Sequence, residues 1–184
     1  MSSGFVHLRV HSEYSLVDGI VRVKPLVKQL AGMHMPACAV TDQSNLFAMV
    51  KFYRAAMAAG LKPIIGVDLR VADAASTDQP SRIVLLCKNR SGYLNLSQLV
   101  SRTYTQGQHA GQPVLDKSWL PGCTDGLIAL SGALSGGHDP AGGLSRRWSA
   151  PLDPAMALLR LDSTGSIVSL GYDDTRRLAR LNGR

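Results

Sequence analysis

Apolar positions along the first two thirds of the chain follow two rhythms. Short β-rich runs, "FVHLRV" (5–10), "ACAVT" (37–41), "KPIIGVDLRV" (62–71), "RIVLLCK" (82–88) and "GLIALS" (126–131), read as strands. Between them lie three helical patterns: "VKPLVKQLAGMH" (23–34), "SNLFAMVKFYRAAMAAG" (44–60) and "GYLNLSQLVSRTY" (92–104). Pro25 suits a helix start, Ser44 or Asn45 can cap the second helix, and Gly60 can end it. In the first helix Leu26, Val27, Leu30 and Ala31 share a face. Strands alternating with helices predict parallel βαβ units, hence an α/β layer or barrel.

Near Ser135 the rhythm stops. Residues 136–184 hold seven Arg and no Lys, whereas the preceding part holds six Lys and seven Arg. Between Ser135 and Pro151 the large apolar side chains are Leu144 and Trp148, too few to offset an ordering cost of about 1–2 kcal/mol per residue. An irregular tail follows as the expectation, disordered or protease-sensitive over 136–151, with at most a helix in "DDTRRLARLN" (173–182). The change of style also reads as a foreign, truncated or frame-shifted end. The expected organisation is a domain over residues 1–135 and a tail over 136–184.

With 184 residues, 45% of them hydrophobic and 18% charged, the chain reads as soluble and globular. Its apolar runs are too short to cross a bilayer, and the polar N-terminus does not resemble a signal peptide. Cys38, Cys87 and Cys123 are odd in number and widely spaced, which suggests reduced thiols and a cytoplasmic setting. A formal net charge of +7 permits an anionic partner. No dense Lys/Arg run demands one.

His7, Arg9 and His11 alternate, which on a strand points all three to one face. Ser12 and Glu13 follow at once. In parallel α/β architectures ligands bind beyond the carboxyl ends of strands, and there the second strand offers Thr41, Asp42 and Gln43. The third strand carries Gly66, Val67 and Asp68. A single strand histidine is more often packed or solvated than a ligand, and a strand-end Asp more often a helix cap. Delivered by successive strands, however, imidazole and carboxylate groups are the material of a multinuclear metal site. Neither a glycine-rich phosphate loop nor a Gly-x-Ser-x-Gly nucleophile motif is present.

The blocks "FVHLRVHSEYSLVDG", "MPACAVTDQSNLFAMVKFYRAAMAAGLKPIIGVDLRV" and "NRSGYLNLSQLVSRTY" closely resemble the PHP (polymerase and histidinol phosphatase) domain that opens bacterial replicative DNA polymerase III alpha subunits. The resemblance runs from about residue 5 to 134. It implies an α/β fold, a partial PHP-type distorted (β/α) barrel, followed by the irregular tail. Family members with an intact site show His-x-His, then Thr-Asp-His, then Gly-x-Glu. Here those positions hold Arg9 and His11, Asp42 and Gln43, and Asp68. The resemblance thus implies a degenerate metal site drawn from His7, His11, Asp42 and Asp68, with Arg9 and Gln43 as substitutions and Glu13 on the rim. Gln is a poor transition-metal ligand and Arg is none. Arg9 is expected to pair with Asp42 or Asp68 instead. No cofactor is expected beyond residual Zn, Mn or Mg binding. Implied partners are the proofreading exonuclease and other polymerase III holoenzyme subunits, and DNA through a longer parent, without any membrane. The palm carboxylates of nucleotidyl transfer are missing, so a DNA-directed DNA polymerase is implied for the parent and not for these residues. A free-standing metal-dependent PHP phosphoesterase is the alternative.

Overall fold

The computed structural model describes residues 6–16, 18–72, 80–131, 158–161 and 167–170. In chain order the elements are α1 (Val23–Gly32), β1 (Ala37–Val40), α2 (Met49–Ala58), β2 (Lys62–Ala72), β3 (Ser81–Cys87), α3 (Arg90–Thr105), β4 (Gln108–His109), β5 (Gln112–Pro113), β6 (Leu115–Asp116), β7 (Leu127–Ser131), β8 (Leu158–Leu161) and β9 (Ile167–Leu170). The fold is α/β, a mixed sheet with helices. Its strands run in the order β1-β2-β3-β7, with β6 also paired to β2.

The expected parallel unit is realised by β1, α2 and β2. β2–β6 is parallel as well, but the expectation of an all-parallel sheet is corrected, because β2–β3 and β3–β7 are antiparallel. For β2–β3 the physical reason is connection length. β2 ends at Ala72 and β3 starts at Ser81, too few residues for the crossover of about a dozen or more that a parallel neighbour requires. The first predicted strand is also looser than expected. Residues 6–11 run beside β1 as an extended segment, with a parallel bridge between His7 and Cys38. Ala39 N donates to His7 O at 2.8 Å and Thr41 N to Val10 O at 2.9 Å.

Strand alternation sends side chains to two cores. On one face Val67, Leu69, Val71, Ile83, Leu85, Leu127 and Ala129 pack beneath α3 with Leu96 and Leu99. On the other, Ala37, Ala39, Ile64, Val84, Leu86 and Ile128 form an apolar layer with Val6. A third cluster joins α1 and α2 to β1. Val23, Val27 and Leu30, spaced one helical face apart, meet Cys38, Val40, Phe52 and Ala56.

Helix boundaries differ from the sequence expectation in one place. Asn45 does not cap α2 directly; its Oδ1 accepts from Phe47 N at 3.1 Å, in the turn before the helix. Gly60 ends the helix as expected, with φ +70°. Within the span expected to be irregular, β8 and β9 pair antiparallel, Leu158 opposite Leu170. "LLRL" and "IVSL" are short β-prone runs on either side of "DSTGS", a stretch of turn-forming residue types. The expectations for residues 136–151 and for a helix at 173–182 fall outside the described residues.

Candidate functional site

Asp68 is the hub. It lies in β2 on the same face as Ile64, 1% exposed, and its Oδ2 accepts from Arg9 Nε at 2.8 Å and pairs with Arg9 Nη2 at 2.7 Å. His11 Nε2 lies 2.9 Å from the same oxygen, and Arg82 Nη1, one strand over, 3.4 Å away. His11 also meets Asp18 Oδ2 through Nδ1 at 2.9 Å. The imidazole is therefore held between two carboxylates. The hydrogen bond to Asp68 raises its pKa above the ordinary 6.5, against an opposing effect of burial and with Asp18 adding to the rise. For Asp68, burial alone would push the pKa up. Hydrogen bonds from His11 and Arg9, with the charges of Arg9 and Arg82, outweigh burial and hold it below the ordinary carboxylate value.

Asp42, also buried, does a different job. Its Oδ1 accepts from Ser12 N and, at 3.1 Å, from Ser15 Oγ; its Oδ2 accepts from Ser12 Oγ at 2.8 Å. Three donors on one carboxylate tie the turn at Glu13–Ser15 to the end of β1. Backbone carries Asp42 on to Asp68, whose N donates to Asp42 O at 3.1 Å. Gln43 bridges to Asp68 through its backbone, and its N donates to Ser15 Oγ at 3.0 Å. Gln43 lines a cleft of about 220 Å3, shared with Asn45, Arg70 and Tyr104. Two residues on that cleft, Leu16 and Ser44, take positive φ values of 64° and 56°. Such backbone is costly away from glycine and accumulates near sites.

Of the residues singled out in the sequence, the structure brings together Arg9, His11 and Asp68 by side chain. Asp42 and Gln43 join them by backbone. Arg9 pairs with Asp68, one of the two carboxylates expected for it. His7 is held through its backbone bridge to β1. Glu13 is directed elsewhere, to Lys51 of α2 at 2.7 Å, which lowers its pKa; Lys51 also reaches Tyr14 OH. Arg82 and Asp18 were missed. Arg82 became a site residue only through the register that sets Val84 opposite Asp68 and turns Arg82 to the same face. That register is invisible in one sequence.

The donor set does not suit a divalent cation. Asp68 Oδ2 is already covered by guanidinium and imidazole, and both oxygens of Asp42 are taken by serine donors. A cation placed here would face Arg9 and Arg82. Asp68 Oδ1 is buried and has no hydrogen-bond partner among the described residues. Among those residues no group of three or more His, Cys, Asp or Glu is placed to hold a metal ion.

The model of the PHP domain family matches residues 7–158. The chain belongs to the PHP domain family. Its match extends past the strand β7 that completes the mixed sheet. Among curated relatives, the DNA polymerase III subunit alpha of Pseudomonas aeruginosa is 51% identical over 140 residues, covering 75% of this chain. That of Escherichia coli K12 is 44% identical over 153 residues, covering 83% of it. The chain spans only 12% and 13% of the length of these two relatives, in their N-terminal part. Among solved structures, an amidohydrolase from Chromobacterium violaceum is similar with a TM-score of 0.43 and 19% identity, over 53% of this chain and 32% of that one. No helix among the described residues of this PHP chain is long and apolar enough to cross a membrane.

Proposed function

We propose that this chain is the N-terminal PHP portion of a DNA polymerase III alpha subunit and works as a cytoplasmic scaffold. On this reading the proofreading exonuclease and other holoenzyme subunits dock on it, and it has no metal-dependent chemistry of its own. The observation that carries the reading is the Arg9 guanidinium on Asp68, 2.7 Å away, within β2 at a position where the resemblance places a metal ligand of an intact PHP site. Arg9 compensates the charge of the buried carboxylate with a fixed cation that cannot activate water. Nucleotidyl transfer with two metals needs clustered acids; the described residues present no such cluster. Polymerase activity and DNA contact are accordingly assigned to the rest of the much longer alpha subunit.

Metal analysis of the purified chain, paired with a phosphomonoester and exonuclease assay in added Zn, Mn or Mg, tests this. The expected result is substoichiometric metal and no metal-dependent hydrolysis. Near-stoichiometric metal that only a strong chelator removes, with hydrolysis lost in His11→Ala and Asp68→Ala, would establish the metal-dependent phosphoesterase instead.

A further inference from the structure

A groove of about 750 Å3 lies away from the Asp68 site, between α2 and the start of α3. Its apolar lining comes from Met49, Val50 and Tyr53 of α2, from Ile65 of β2, from Cys87 at the end of β3 and from Tyr93 of α3. The surface is stickier than the groove alone. Val50, Tyr53 and Met57, spaced three and four apart and thus on one helical face, are 54%, 50% and 57% exposed. A soluble domain rarely leaves a contiguous apolar strip of this kind uncovered unless something binds it. The rim is cationic: Arg54, Lys88 and Arg90 are all exposed, and no residue lining the groove is acidic. None of the three is engaged in an ion pair among the described residues, where the pairs are those of Arg9, His11, Lys51 and Arg82.

We infer that this groove is a docking site for a peptide segment of a partner protein, with apolar anchor side chains flanked by Asp or Glu. The apolar floor takes the anchors, and the exposed strip of α2 extends the contact beyond what a compact small molecule would cover. Charge complementarity selects the acidic flanks. Single-stranded nucleic acid fits less well, because the floor is largely aliphatic and bases stack on aromatic rings. The inference deepens the scaffold reading by giving it a docking surface. The two fail separately, since metal content decides the first and peptide binding the second.

The test uses the intact chain. Random short peptides displayed on phage are selected on it, and an enriched peptide is synthesised and its binding followed by fluorescence anisotropy. The expected outcome is a consensus of Leu, Ile or Phe beside Asp or Glu. Binding should weaken about tenfold or more in Tyr53→Asp, in Val50→Asp and in Arg54→Glu. Arg90→Glu should weaken it too while leaving the fold intact, because an acid in the first turn of α3 favours the helix. Enriched peptides without acids, or binding that ignores Arg54→Glu and Arg90→Glu, would overturn the proposal. So would a dimer dissolved by Tyr53→Asp with no peptide enriched, which would give the face to a second copy. Oligothymidylate binding lost in Arg54→Glu, again with no peptide enriched, would give it to nucleic acid.

Discussion

Asp68 shows how one buried carboxylate can hold three parts of a chain together. Arg9 and His11 come from the N-terminal segment, Arg82 from β3, and all three converge on Oδ2. Removing one partner of a buried, hydrogen-bonded charge group leaves the others uncompensated, which typically costs about 3–5 kcal/mol. Arg9 is 34% exposed, so water recovers part of that, and Asp68→Ala is expected to cost about 2–4 kcal/mol in urea denaturation. A loss within error would show that the cluster is held by backbone alone. His11 sets the pH behaviour. Its folded pKa is raised, so its contribution is full below the ordinary value near 6.5, falls as pH rises through the raised folded value, and is flat beyond. The expected observation is that the stability difference between the protein and His11→Gln is largest near pH 6 and shrinks toward pH 9. Asp68 has the opposite sign. Its pKa is lowered, so its contribution is present above the ordinary carboxylate value and is lost on acidification through the folded one.

At the scale of elements, α3 owes its position to its first turn. Asn89 Oδ1 accepts from Gly92 N at 2.9 Å, and Lys88 N donates to Gly126 O at 2.8 Å, which brings the approach to β7 against the helix start. A methyl group at Gly92 would run into the Gly126 carbonyl, a backbone atom that cannot step aside. Asn89→Ala should therefore cost about 1 kcal/mol, the usual loss of a cap. Gly92→Ala should cost more, about 2–3 kcal/mol, as overpacking against a fixed neighbour. Urea denaturation of the two variants ranks them, and a reversed order would contradict the contact. The Glu13–Lys51 pair, in contrast, is open to solvent and screened, so it orients the turn before α1 and contributes little to stability.

At the scale of the molecule, β3 is shared between two cores. Leu85 belongs to the one under α3 and Leu86 to the layer on the opposite face, and both are fully buried. Truncating either to Ala is expected to cost about 2–5 kcal/mol. Because one strand feeds both cores, each variant should still unfold in a single transition, seen alike by far-UV and near-UV circular dichroism. Two separated transitions would mean that the faces fold independently.

Periodicity alone located the three helices and the strands β1, β2, β3 and β7, because their apolar faces recur at the spacing that the sheet and helix geometry requires. The residue types alone raised the expectation of a degenerate metal site, since Arg9 cannot ligate a metal and Gln43 is a poor ligand for a transition metal. Strand direction was not legible, and neither were the short strands β4, β5 and β6, whose two residues each are too few to carry a rhythm. The tertiary structure alone decided that Arg9 pairs with Asp68, that Asp42 is taken up by Ser12 and Ser15, and that Arg82 joins from a neighbouring strand. Those contacts link residues up to 59 positions apart, and they depend on register, which side-chain patterns on single elements do not encode.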